Sequence, residues 1–97
     1  MRTAQISITV EDIIAAVPGS VRRSPAAIAI QPHVPPGVVV IDNGEDISYR
    51  LPSGNWLGAD LPDKAREFGA FYEGRQFVTP VSFALDVPDE TDAGITA

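Results

Sequence analysis

Val38-Val39-Val40-Ile41-Asp42-Asn43-Gly44-Glu45-Asp46-Ile47-Ser48-Tyr49-Arg50-Leu51 carries the first decision about the fold. A short β-branched run leads into an Asn-Gly pair, which supplies the positive φ angles of a tight hairpin turn, and Ile47, Tyr49 and Leu51 alternate afterwards. The stretch predicts two antiparallel strands. After it, Pro52-Ser53-Gly54-Asn55-Trp56-Leu57-Gly58 has the composition of a loop. A helix is then expected from Asp60 or Leu61, with Pro62 in its first turn and Asp63 near its positive end, because Leu61, Ala65, Phe68 and Tyr72 follow at helical spacing. Gly74 is the expected stop.

Working back towards the N-terminus, Gln5 to Val10 alternates polar and apolar residues, placing Ile6, Ile8 and Val10 on one face of a strand. Thr9, followed three residues later by Asp12, marks a helix start, and Ile13, Ile14 and Val17 form the apolar stripe of about two turns. Pro18-Gly19 ends them. Ser24-Pro25 gives an N-cap hydroxyl with proline at the first helical position. The helix expected from Pro25 to Ile30 is small or apolar on every side, so it belongs in the interior. At the other end, Val81, Phe83, Leu85 and Val87 alternate along a closing strand.

The order strand, helix, helix, strand, strand, helix, strand predicts an α+β fold: a small, largely antiparallel sheet with helices packed on one face. Residues 1–88 are expected to form the domain and 89–97 a disordered acidic tail, since Asp89, Glu90 and Asp92 crowd a segment with little to pack. A chain of 97 residues with 44% apolar and 21% charged side chains can build one core. With no cysteine, no disulfide assists it. No signal-peptide pattern or membrane-length apolar run is present, so the expected location is cytoplasmic.

Thirteen acidic against seven basic residues give a formal charge of −6, which disfavours nucleic-acid and anionic-membrane partners. His33, the lone histidine, lies among prolines without the partners that a base or a metal site needs. Asp42, Glu45 and Asp46 flank a turn and lack the alternating oxygen ligands of a calcium loop. Gly54 and Gly58 fit no phosphate or dinucleotide fingerprint, and no serine sits in a nucleophile-elbow context. No catalytic residue, cofactor or metal is expected.

What remains is contact chemistry. Arg22 and Arg23 form the densest basic spot, beside the helix start at Ser24, where a phosphate or a partner carboxylate could be held. Phe71 and Tyr72 read as core, whereas Trp56 is open between core and partner contact. Arg22, Arg23 and Trp56 are the candidate partner-binding residues.

Three segments share their order and spacing with a known group: Ile6 to Ile13, Ser24-Pro25-Ala26-Ala27-Ile28-Ala29-Ile30, and Phe71 to Leu85. Together they resemble short uncharacterised proteins encoded by bacteriophages and prophages, which carry a Cys-Pro-Ile-Ala-Leu-Ala-like segment and a closing F-D-x-G-x-x-V-x-P-F-x-F-x-L stretch. Ser24 stands where those relatives often have cysteine. The shared features are caps, a glycine stop and alternating core positions, so the resemblance implies a fold and a phage setting and no reaction.

The expected function is therefore that of a small non-enzymatic binding module, a phage-encoded modulator contacting a host or defence protein. The alternatives are a nucleic-acid-associated regulator using Arg22, Arg23, Arg50 and Arg75, an acidic DNA mimic built on Asp42, Glu45 and Asp46, and a self-assembling accessory protein.

Overall fold

Alternation is what makes β1 (Arg2–Ile8) a strand: Ala4, Ile6 and Ile8 are buried and the residues between them exposed. The computed structural model, which describes residues 1–94, pairs β1 antiparallel with the last strand, β5 (Val81–Val87), setting Ile6 opposite Phe83 and Ala4 opposite Leu85. A second, three-stranded antiparallel sheet runs β2 (Val39–Asp42), β3 (Asp46–Arg50), β4 (Trp56–Asp60), in that spatial order. The fold is α+β with antiparallel pairing throughout, divided between two sheets.

Both helix starts form as their short-range signals predict. Thr9 caps α1 (Val10–Ala15) in a capping box: the Asp12 amide donates to Thr9 Oγ1 at 3.2 Å, and the Thr9 amide donates to Asp12 Oδ2 at 2.9 Å. Val10 is consequently the first residue of a helix and not the last of a strand, and its side chain is exposed. The expected stripe is not buried either, because Ile14 is 77% exposed and Val17 also faces solvent; only Ile13 packs against the core.

Ser24 caps α2 (Pro25–Ile30) with Pro25 in the first turn. Ala26, Ala27, Ala29 and Ile30 are buried because α2 touches β1 on one side and β2 on the other. Small side chains let it fit between the two sheets. The Ser24 hydroxyl accepts from the Ala27 amide at 3.1 Å and donates to Asp42 Oδ2 at 2.8 Å, tying the start of α2 to the end of β2. Ser24→Ala removes both bonds and is expected to lower unfolding stability by about 1–2 kcal/mol, measured by urea denaturation.

The hairpin forms with a wider turn than Asn-Gly alone predicts. β2 ends at Asp42 and β3 begins at Asp46, so three residues connect the strands, and of these only Gly44 has a positive φ, +95°. Asn43 acts through its side chain instead: its Oδ1 accepts from the amides of Glu45 and Asp46, and its Nδ2 donates to Asp46 Oδ1.

The segment read as a loop is partly a strand. Residues 52–55 make a turn closed by the Leu51 amide donating to the Asn55 carbonyl at 2.8 Å, and Trp56 to Asp60 then pair with β3 as β4. This strand displaces the start of α3 (Asp63–Glu73), whose N-cap is Pro62. Ala65 and Phe68 are buried and Tyr72 half-buried, but Phe71, read as core, is exposed. The helix does stop at Gly74, yet the left-handed residue is Arg75, with φ +58°.

Tyr49 joins the two sheets, its hydroxyl donating to the Asp86 carbonyl at 2.7 Å. Residues 89–94 of the segment expected as a tail form a turn, in which Asp89 and Asp92 accept each other's amides and Ala93 is buried; residues 95–97 lie outside the described residues. The Met1 ammonium lies 3.0 Å from Asp92, whose carboxyl is held below its ordinary range by the Asp89 amide and that ammonium. Among the described residues no helix is long and apolar enough to cross a membrane.

Candidate functional site

The three-stranded sheet turns Val40, Ile47 and Tyr49 inward, so the period-two rule sends Val39, Ile41, Ser48 and Arg50 to its other face. On β4 the outward residues are Trp56, Gly58 and Asp60, all exposed, while Leu57 and Ala59 pack against the core. Register then places Val39, Arg50 and Trp56 side by side in one row across the sheet. Directly opposed residues in such a row have Cβ atoms roughly 5 Å apart, which brings the Arg50 guanidinium within reach of the Trp56 ring.

Arg22 and Arg23 adjoin this row at the β2 edge. The Asp42 amide donates to the Val21 carbonyl at 2.8 Å, holding the loop before α2 against β2. A cleft of about 530 Å³ lies there, lined by Arg22, Arg23, Gln31 and Val39, and a second groove of about 230 Å³ runs from Val39 to Arg50 and Pro52. Val39 lines both. The residues singled out from sequence, Arg22, Arg23 and Trp56, therefore border one continuous face, connected by Val39 and Arg50. Arg75, which follows α3, lines neither of these two clefts.

Trp56 is 54% exposed, which resolves the choice between core and surface. No carboxylate lies within ion-pair distance of Arg22, Arg23 or Arg50 among the described residues. The opposite end of the sheet is acidic, with Asp46 directly across from Asp60. The face is thus cationic and aromatic at one end and anionic at the other, a composition suited to fixing the orientation of a polar partner.

Elsewhere the polar groups are engaged in holding the fold. Asp42 accepts from Ser24 Oγ and from the Gly44 amide, and Asp46 accepts from Asn43, so two of the three carboxylates read as a possible phosphate mimic are already bonded internally. Glu73 accepts from the Gly19 amide at 3.1 Å in a cleft of about 250 Å³ that also contains Ser24 and Tyr72. His33 lines a different cleft, beside Arg2, which donates to the His33 carbonyl at 2.8 Å. Ser24, Asp42 and His33 are consequently not assembled as nucleophile, acid and base. No group of three or more potential metal-ligating side chains is present among the described residues.

Exposed apolar side chains also occur away from the sheet face. Phe77 is 88% exposed, and with Phe71, Lys64 and Glu67 it lines a cleft of about 370 Å³ between α3 and the approach to β5. Sequence reasoning missed Val39 and placed Arg50 only in the nucleic-acid alternative. The alternation of Ile47, Tyr49 and Leu51 already turns Arg50 outward, but its adjacency to Trp56 depends on β4. A scan of protein-family models, a search of curated proteins and a search of solved structures each gave no match.

Proposed function

We propose that the protein is a non-enzymatic binding module that engages another protein through the outer face of its three-stranded sheet. The observation that carries this reading is the Val39–Arg50–Trp56 row, flanked by Arg22 and Arg23, with the tryptophan exposed and the arginines free of intramolecular ion pairs among the described residues. Tryptophan and arginine are the residues most often found to dominate binding energy at protein interfaces. The matching partner surface presents carboxylates around an apolar pocket. The resemblance to phage-encoded proteins supplies the setting, that of a modulator acting on a host or defence protein.

The test is affinity capture from lysate of the source organism, followed by titration of the captured protein. Trp56→Ala is expected to weaken binding by about 30-fold, and the pair Arg22→Ala, Arg23→Ala to weaken it with a reduced salt dependence. Full affinity in both variants would remove the sheet face from the interaction.

A second reading draws on the same residues, since arginines beside an exposed aromatic also suit a single-stranded nucleic acid. The net charge of −6 and the Asp46–Asp60 pair on the same face weigh against it. Titration with a fluorescent oligonucleotide at low salt separates the two, because nucleic-acid affinity falls steeply as salt rises.

A further inference from the structure

The two edges of the three-stranded sheet are treated differently. On β2, the outward amide of Asp42 is bonded to Val21, and the carbonyl of Val38, just before the strand, accepts from Gln31 Nε2 at 2.9 Å. That edge is covered at both ends. On β4, the Leu61 amide donates to Glu45 and the Leu51 amide to Asn55, bracketing the ladder with β3. Alternation then turns the backbone groups of Leu57 and Ala59 towards β3 and those of Trp56, Gly58 and Asp60 away from it. No other element bonds to these outward groups among the described residues, although β5 passes close to β4 on its way to pair with β1.

β4 also lacks the devices that commonly guard an edge. It has no proline, no lysine and no inward charge, and all five of its residues retain some exposure. We infer that β4 pairs antiparallel with β4 of a second copy of this chain, about a two-fold axis at Gly58, to make a six-stranded sheet.

Charge selects both the occupant and the register. Centring the pairing on Gly58 aligns all five residues and sets Trp56 opposite Asp60 of the second copy, so the row across the interface runs Arg50, Trp56, Asp60, Asp46, from cationic to anionic. Centring it on Asp60 would oppose two aspartates directly, and centring it on Trp56 would leave Asp60 unpaired. The half-buried Leu57 and Ala59 meet Ala59 and Leu57 of the second copy, extending the apolar inner face of the sheet. Gly58 leaves the axis free of side chains.

The native chain has no cysteine, which makes cross-linking a direct test. Hydrogen-bonded antiparallel partners have Cα atoms about 5.5 Å apart, within disulfide range. Gly58→Cys is therefore expected to form covalent dimers readily under mild oxidation. Ser48→Cys, which the proposed pairing separates from its copy by about 14 Å, and Ile14→Cys, on the exposed side of α1, are expected not to do so. Sedimentation equilibrium of the unmodified protein should show a mass rising towards twice that of the chain over a concentration series. Trp56→Asp, which opposes two carboxylates, should abolish that rise, and Trp56→Asp with Asp60→Arg should restore it.

A mass that stays monomeric across the series would overturn the proposal. So would cross-linking of Gly58→Cys no faster than that of Ser48→Cys, or faster cross-linking through Ile14→Cys. Arg22→Ala, Arg23→Ala leaves the β4 edge intact, so loss of partner binding in that variant with the dimer retained keeps this inference separate from the proposed function.

Discussion

Replacing Ile30 with alanine is expected to lower the unfolding free energy by about 3–4 kcal/mol, within the usual range for deleting a fully buried aliphatic side chain. Ile30 is 0% exposed and lies at the end of α2, a helix that touches both β1 and β2 and so both sheets. The cavity left behind is bordered by elements fixed in two separate hydrogen-bonded ladders, so the surroundings have little freedom to close around it. Domains of this size are stable by about 5–15 kcal/mol, and the loss would consume a large share. Ile14→Ala provides the contrast: the side chain is 77% exposed, and the expected change is within about 0.5 kcal/mol. Urea denaturation of both variants checks the prediction, and similar midpoints would mean that Ile30 does not anchor the packing between the two sheets.

Tyr49→Phe is expected to cost about 1–2 kcal/mol at neutral pH, because the buried hydroxyl donates to the Asp86 carbonyl at 2.7 Å and that carbonyl would lose its side-chain donor. The same variant should also alter alkaline behaviour. Burial, with a smaller contribution from the Asp86 charge, pushes the phenol of Tyr49 well above its ordinary range. A group whose folded pKa is raised stabilises fully below the unfolded pKa, and that stabilisation is lost as pH rises towards the folded one. Above about pH 10 the unfolded chain releases the Tyr49 proton while the folded protein keeps it, so stability should fall by up to about 1.4 kcal/mol per pH unit. In Tyr49→Phe this contribution should vanish. Denaturation midpoints at pH 9, 10 and 11 measure it, with an unchanged slope counting against the assigned role of the hydroxyl.

The parts of the fold legible in the sequence were those set within a few residues. Thr9 with Asp12, and Ser24 with Pro25, specify helix starts through bonds spanning three residues, and both formed as read. The alternation of Ile6 with Ile8 and of Phe83 with Leu85 likewise identifies a buried face without any knowledge of the partner strand. β4 was not legible in this way. Trp56-Leu57-Gly58-Ala59-Asp60 has little strand propensity, and it becomes a strand through pairing with β3, to which the turn at residues 52–55 returns it. The candidate site divides along the same line. Arg22, Arg23 and Trp56 stood out by residue type, whereas their common face required the sheet register and the Val21–Asp42 bond.

The pairing of β1 with β5 bears on how the protein is made. Synthesis runs from the N-terminus, so the strand holding Ala4, Ile6 and Ile8 leaves the ribosome before every other element of this fold. Its partner strand is the last to follow. At about 5–20 residues per second the interval is on the order of ten seconds. During it the hairpin and the helices can form from near neighbours, but the first strand has no edge to join. The growing polypeptide therefore displays an apolar segment that a nascent-chain chaperone can hold until β5 has emerged.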